Sequence, residues 1–127
     1  MALDCSLSGI VLDCADAKAL ASFYETLLGW PREPAGPGWA ALAAPGGFTL
    51  AFQEVPGYLP PVWPWAPGAQ NQMLHLDWHV QDLDAAVAFA LSCGAALAPA
   101  QYFATSRTLL DPAGHPFCLD NGQPEPG

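Results

Sequence analysis

The chain has 127 residues, of which 52% are hydrophobic and 12% are charged. This length and composition indicate one folded domain with a buried core. Twelve acidic residues against Lys18, Arg32 and Arg107 give a net charge of −9, which repels phosphate backbones and excludes nucleic acid as an expected partner. No apolar run approaches the roughly 20 residues of a membrane span, and the first residues lack a basic signal segment. We therefore expect a cytoplasmic protein without membrane contact.

The first half of the chain predicts a strand, a helix and further strands. The segment "SGIVLDC" is typical of a strand, and Asp16 is a suitable cap for a helix that ends at Gly29. The apolar side chains of this helix recur with helical spacing, at Leu20, Phe23, Tyr24, Leu27 and Leu28. After the helix, "APGGFTLAFQE" predicts a turn followed by a strand.

A proline-rich connector, "VPGYLPPVWPWAPGAQNQ", separates the two halves. Proline at this density excludes a helix or a central strand. Because tryptophan side chains are costly to leave in water, we expect an ordered segment. It either covers the edge of a sheet or forms a lid over a pocket.

The second half repeats the order of the first. A strand, "MLHLDWHV", precedes a helix capped by Asp82 and ended by Gly94, and "DPAGHPFCLDN" predicts the final turn and strand. Asp82 follows Asp16 by 66 residues, and Pro112 follows Pro45 by 67. Such an internal repeat predicts an α+β fold of two tandem βαβββ modules, at about residues 7–55 and 73–121, joined by a connector at about 56–72.

These segments resemble a known superfamily. "VLDCADAKALASFYETLLGW", "HLDWHVQDLDAAVAFALSCGA" and "LLDPAGHPFCL" are similar to the vicinal oxygen chelate superfamily, which includes glyoxalases, bleomycin-resistance proteins and extradiol dioxygenases. The resemblance covers about residues 7–121 and is closest to the small glyoxalase-like proteins. It implies a single glyoxalase-like domain in which both modules form a curled mixed sheet around a shared cup, and it implies a homodimer.

The resemblance also indicates where a metal would bind. Metal-dependent members carry one ligand on the first strand and one on the last strand of each module. These positions fall on Gly9 and Ala51 in the first module, and on His75 and Cys118 in the second. Glycine and alanine offer no ligand atom, so no complete metal site is expected. A shift of register would bring in Gln53 or Asp13 instead.

The segment "HLDWH" places His75, Asp77 and His79 on one face of the predicted strand. Along an extended backbone His75 lies about 6–7 Å from Asp77 and about 13 Å from His79, so only the first two can share an ion. We expect no cofactor. The alternative is a divalent metal held by His75 with Asp77 or Cys118, with Gln53 or Glu54 as a further ligand.

Two functions remain open at this point. The first is a protein that binds or sequesters a compact hydrophobic, aromatic or cationic molecule. Its cup would be lined by Gly9, Ala51, His75, Asp77 and Cys118. Trp39, Tyr58, Trp63, Trp65 and Tyr102 are the candidates for stacking on that ligand. The second is a lyase, isomerase or dioxygenase that uses a reduced metal site or the pair His75 and Asp77 as catalytic acid and base. The sequence specifies neither the ligand nor the reaction.

Several residues have a structural interpretation beside the functional one. Arg107, on a predicted strand, either clamps a ligand carboxylate or pairs with one of the acidic residues. His75 is either chemical or held by a structural hydrogen bond, and His79 is expected to be structural. We expect the four cysteines to be free thiols, and nothing near Cys118 predicts a reactive thiolate.

Overall fold

The secondary structure falls into two units along the chain. The computed structural model describes residues 1–126, with one unit at Met1–Tyr58 and the other from Leu59 onward. Each unit holds one helix and one four-stranded mixed sheet. The predicted α+β class with two tandem βαβββ modules is therefore confirmed. That both modules form one domain around a shared cup stays a prediction.

The first unit contains five elements in the predicted order: β1 (Gly9–Cys14), α1 (Ala17–Leu28), β2 (Arg32–Glu33), β3 (Trp39–Ala43) and β4 (Thr49–Glu54). Its sheet has the order β1-β4-β3-β2, with β1 parallel to β4 and the other pairs antiparallel. Helix α1 packs on β3 and β4. Between them the rings of Tyr24 and Phe52 stack with centroids 5.6 Å apart, and both side chains are buried.

The second unit repeats this order with β5 (Leu76–His79), α2 (Leu83–Cys93), β6 (Ala96–Leu97), β7 (Ser106–Leu110) and β8 (Pro116–Asp120). The sheet order is β5-β8-β7-β6, with β5 parallel to β8. Helix α2 packs on β7 and β8. Leu109, Phe117 and Leu119 are buried and form the core of this unit.

Both helices begin and end where the sequence predicts. The carboxylates of Asp16 and Asp82 accept a hydrogen bond from the backbone amide three residues later, at 3.0 and 3.1 Å. Gly29 and Gly94 adopt the left-handed conformation, with φ of 70° and 115°, which side chains larger than hydrogen disfavour. Neither described helix is long and apolar enough to cross a membrane.

The segment between β4 and β5 forms no helix and no regular strand within the described chain. It contains a single bridge, between Val62 and Asn71, and a cis peptide bond before Pro64. The effect predicted for the prolines is therefore confirmed. The segment also brings Trp63 to the second unit.

Alternation along the strands of the second unit divides its sheet into two chemically different faces. Phe117 and Leu119 are buried with Leu109 in the core on which α2 packs. The intervening residues Cys118 and Asp120 therefore point to the opposite face. This opposite face is polar, and it is the base of the candidate site.

The two helix caps generate a stability prediction. Replacing Asp16→Ala or Asp82→Ala removes the acceptor for a backbone amide and should lower the free energy of unfolding by about 1 kcal/mol. Chemical denaturation measures this change. Asp4→Ala, which removes the same charge from the segment before β1, is the matched control and should change stability less. An equal loss in Asp4→Ala would contradict a capping role.

Candidate functional site

The polar face of the second unit is organised by strand register. Asp77 on β5 lies level with Cys118 on β8, and Cys118 lies level with Thr108 on β7. These three residues form one row across three adjacent strands. Because all three lie on one face, their side chains share the space above the sheet.

A second row lies two residues further along the strands. It consists of His79, Asp120 and Ser106, again from β5, β8 and β7. The His79 Nδ1 atom is 3.5 Å from Asp120 Oδ1, and this carboxylate also accepts a hydrogen bond from the backbone amide of Gly122. His79 thus pairs with Asp120 within the sheet, and its structural role stays a prediction.

Three potential ligand atoms converge at one edge of this face. The donor cluster consists of His75, Asp77 and Cys118, whose nearest nitrogen, oxygen and sulfur atoms all lie within 4.8 Å of one another. His75 directly precedes β5, and its Nε2 atom is 3.0 Å from Asp77 Oδ1. Both side chains are accessible, with exposed fractions of 38% and 59%.

The thiol of the donor cluster is in an unreactive state. Burial raises the pKa of Cys118, and the negative charges of Asp77 and Asp120 raise it further. A contact of 3.4 Å with the Thr108 hydroxyl acts in the opposite direction but does not cancel this effect. The raised pKa of Cys118 therefore disfavours a free thiolate nucleophile.

A pocket of about 270 Å³ opens above the donor cluster and the two rows. Trp63 from the connector and Tyr102 and Phe103 from the β6–β7 loop supply its aromatic lining. The rings of Trp63 and Tyr102 meet edge to face, with centroids 6.3 Å apart. The complete lining is Trp63, His75, Asp77, Tyr102, Phe103, Ser106, Thr108, Cys118 and Asp120.

The donor cluster fits a divalent metal in donor type. Imidazole nitrogen, carboxylate oxygen and thiolate sulfur are all zinc ligands, and three protein ligands leave one position for a water or a ligand molecule. Tetrahedral zinc with bonds of ~2.0–2.3 Å places its donor atoms about 3.3–3.8 Å apart. To hold zinc, the widest pair of donor atoms would have to close by up to about 1 Å, the His75 and Asp77 atoms would have to separate slightly from 3.0 Å, and Cys118 would have to lose its proton.

The structure brings five of the predicted site residues together. His75, Asp77 and Cys118 line the pocket with Trp63 and Tyr102. Trp65, predicted to stack on a ligand, is 68% exposed and does not line it.

Arg107 also lies outside this lining, since it alternates with Ser106 and Thr108 along β7. Its Nη1 atom donates to the carbonyl oxygens of Phe103, Ala104 and Ser106 at 2.7–3.4 Å. The guanidinium group therefore holds the backbone of the β6–β7 loop. No finding tests its predicted role as a carboxylate clamp.

The other predicted site residues belong to the first unit. Gly9 begins β1, where a Cβ atom would come within 3.2 Å of the Thr49 carbonyl oxygen. Gln53 donates to Asp13 Oδ1 at 2.7 Å. Trp39 is exposed and lies level with Gln53, whereas Tyr58 is half-buried. Their role in ligand binding stays a prediction.

Ala51 shows how the two modules differ at the site. It lies level with Val11 and Ala41, in the row of the first unit that corresponds to Asp77, Cys118 and Thr108. The first row is thus apolar in one module and polar in the other. Only the second module places ligand atoms there.

Four lining residues were missed at the level of sequence: Phe103, Ser106, Thr108 and Asp120. For Asp120, Ser106 and Thr108, the two-residue spacing along a strand could have indicated which face they share. Asp120 follows Cys118 by two residues and so shares its face, and the same spacing relates Ser106 to Thr108. Phe103 lies in a loop, where no periodicity indicates the direction of a side chain.

The raised pKa of Cys118 predicts slow alkylation. Less thiolate is present at a given pH when the pKa is raised, so iodoacetamide should modify Cys118 more slowly than the exposed Cys5 at pH 8. Peptide mass spectrometry over a time course measures both rates in one sample. Faster modification of Cys118 than of Cys5 in the native protein would contradict the assigned environment.

Solved structures share this fold. A glyoxalase/bleomycin resistance protein/dioxygenase family enzyme from Burkholderia phytofirmans PsJN is 19% identical, with a TM-score of 0.70 over 91% of this chain and 98% of that one. The fosfomycin resistance protein FosX from Listeria monocytogenes is 15% identical, with a TM-score of 0.69 over 95% and 94% of the two chains. A mutant of that protein was crystallised with Mn(II) and 1S,2S-dihydroxypropylphosphonic acid.

Curated protein sequences include no significant match to this chain. A family model described as a glyoxalase-like domain matches residues 9–119, which is most of the chain. That span includes both βαβββ modules and the connector with Trp63. The resemblance to glyoxalases, bleomycin-resistance proteins and dioxygenases is therefore confirmed, and the chain belongs to the glyoxalase-like domain family.

Proposed function

We propose that the protein binds a compact aromatic molecule in the pocket of its second module. The observation that supports this function is the composition of the lining: three aromatic side chains stand on loops, and the polar side chains stand on the sheet. Ligand sites commonly combine an apolar wall with a few fixed polar groups. A volume of about 270 Å³ suits a ligand of one or two rings.

The aromatic lining favours binding because much of it is exposed without a ligand. Tyr102 and Phe103 are adjacent and 60% and 59% exposed, and with Trp63 they form one contiguous aromatic surface at the pocket. A ring placed against them removes apolar area from water, at about 25 cal/mol per Å². Offset or edge-to-face contact adds about 0.5–1.5 kcal/mol for each ring pair.

The polar face gives such a ligand a defined orientation. The hydroxyl groups of Ser106 and Thr108 and the carboxylate of Asp77 lie on rigid strands rather than on loops. Hydrogen bonds from a sheet hold a ligand group more precisely than bonds from mobile segments. Specificity should therefore come from the strands, and most of the binding free energy from the loops.

Removing one aromatic side chain tests this function. Phe103→Ala should weaken the binding of small aromatic compounds about tenfold, since a buried ring contributes about 1.4 kcal/mol or more. Phe89→Ala is the matched control, because Phe89 is 51% exposed on α2 and does not line the pocket. Ligand-observed NMR with catechol, indole and quinoline measures the affinities. No binding by any of the three, or equal losses in both variants, would reject the proposal.

Metal-dependent chemistry is the second candidate function. It is favoured by the donor cluster, whose three different ligand atoms lie within 4.8 Å of one another. A bound zinc ion would polarise an oxygen atom of a substrate. Asp77 and His75 would then hold the metal instead of pairing with each other. Without a metal, Asp77 orients the His75 ring, which is the arrangement of a general acid and base.

Metal content distinguishes these possibilities. If the cluster binds metal, protein exposed to zinc should retain about one ion per chain after gel filtration, and His75→Ala should lose it. His79→Ala is the matched control, since His79 is 58% exposed and pairs with Asp120 outside the donor cluster. Elemental mass spectrometry gives the stoichiometry. Equal zinc retention in both variants would exclude the cluster as the binding site.

A homodimer and a cytoplasmic location remain parts of the proposal that rest on the resemblance and on composition. Sedimentation of the purified chain tests the first. Neither is needed for the pocket, because all of its lining residues come from the second unit of one chain.

A further inference from the structure

We propose that the ligand of this pocket is an organic cation: a flat aromatic or heteroaromatic ring that carries a permanent positive charge. The inference rests on the proposed function and specifies the class of molecule. Three observations support it: the charges of the lining, the hydrogen bonds that those charges make, and the kind of surface that faces them.

The lining contains negative side chains and no lysine or arginine. Asp77 and Asp120 both face the pocket, from neighbouring strands β5 and β8. Arg107 is the one lysine or arginine between residues 59 and 127, against six acidic residues. Its Nη1 atom donates to backbone carbonyl oxygens outside the pocket lining, and its charge helps to lower the pKa of Glu125.

Neither carboxylate contacts a lysine or arginine among the residues of the lining. His75 contacts Asp77 at 3.0 Å, and His79 contacts Asp120 at 3.5 Å. The Thr108 hydroxyl and the Cys118 thiol bond to each other at 3.4 Å. Two carboxylates in a lining without lysine or arginine favour a cation and disfavour an organic anion.

The aromatic residues determine which kind of cation fits. Trp63, Tyr102 and Phe103 present π surfaces, which attract positive charge through their quadrupole. A hydrated metal ion gains little from such surfaces, whereas a ring-bearing cation contacts them with its apolar body as well. Carboxylates on one side and aromatic rings on the other are the features that recognise organic ammonium and pyridinium groups.

A set of three ligands of similar shape tests this inference. N-methylquinolinium carries a charge, 6-methylquinoline is its neutral counterpart at pH 8, and 1-naphthoate is an anion. With EDTA present to remove metals, calorimetry should show that the cation binds at least about tenfold more tightly than the neutral compound, and that the anion binds weakest. Raising the salt concentration from 50 to 300 mM should weaken only the cation, because salt screens charge–charge attraction.

Variants that remove one negative charge show which residues cause the preference for the cation. Asp77→Asn and Asp120→Asn should each lower the ratio of the affinity for N-methylquinolinium to the affinity for 6-methylquinoline several-fold. Near-UV circular dichroism of each variant reports that the pocket is folded. Asp84→Asn is the matched control, because it removes a charge from an exposed position on α2. Its cation preference should equal that of the unmodified protein.

The outcomes separate the two proposals. Equal affinity for the cation and the neutral compound would overturn the cationic ligand and leave the aromatic pocket intact. A cation preference that falls equally in Asp84→Asn would also overturn it, since the cause would then be the overall charge. Failure of both the cation and the neutral compound to bind would reject the aromatic pocket, and the cationic ligand with it.

Discussion

The parallel pairing of β5 with β8 is the constraint on which the candidate site depends. This register places Asp77 beside Cys118 and His79 beside Asp120, and the antiparallel β7 adds Thr108 and Ser106 to the same two rows. A shift of β8 by one residue would turn Cys118 toward the core and Phe117 toward the pocket. The burial of Phe117 and Leu119 beside α2 therefore holds the polar residues in place.

The same architecture in the first module carries different chemistry. There the parallel pair β1 and β4 places Val11 beside Ala51, so the row that holds ligand atoms in the second module is apolar. The next row remains polar in both, with Asp13 bonded to Gln53 and His79 paired with Asp120. The repeat thus preserves the backbone and the helix caps, while the residues on one sheet face have diverged.

The donor cluster would serve either candidate function. Burial and the neighbouring carboxylates raise the pKa of Cys118, which favours the protonated thiol. A metal would have to displace that proton and the hydrogen bond between His75 and Asp77. The loops also favour an organic ligand, because Trp63, Tyr102 and Phe103 offer contacts to a ring.

The sequence by itself determined the helix boundaries, since Asp16, Gly29, Asp82 and Gly94 act through local backbone chemistry. It also determined the βαβββ repeat, and alternation placed His75 and Asp77 on one face. Strand register came only from the tertiary structure: the resemblance assigned His75 and Cys118 to the metal positions of the second module, and the structure shows that Asp77 lies level with Cys118. The sequence also did not show that Trp63 lines the pocket while Trp65 does not, or that Arg107 donates hydrogen bonds to backbone carbonyl oxygens. Pairing and loop direction depend on contacts between distant residues, which periodicity does not encode.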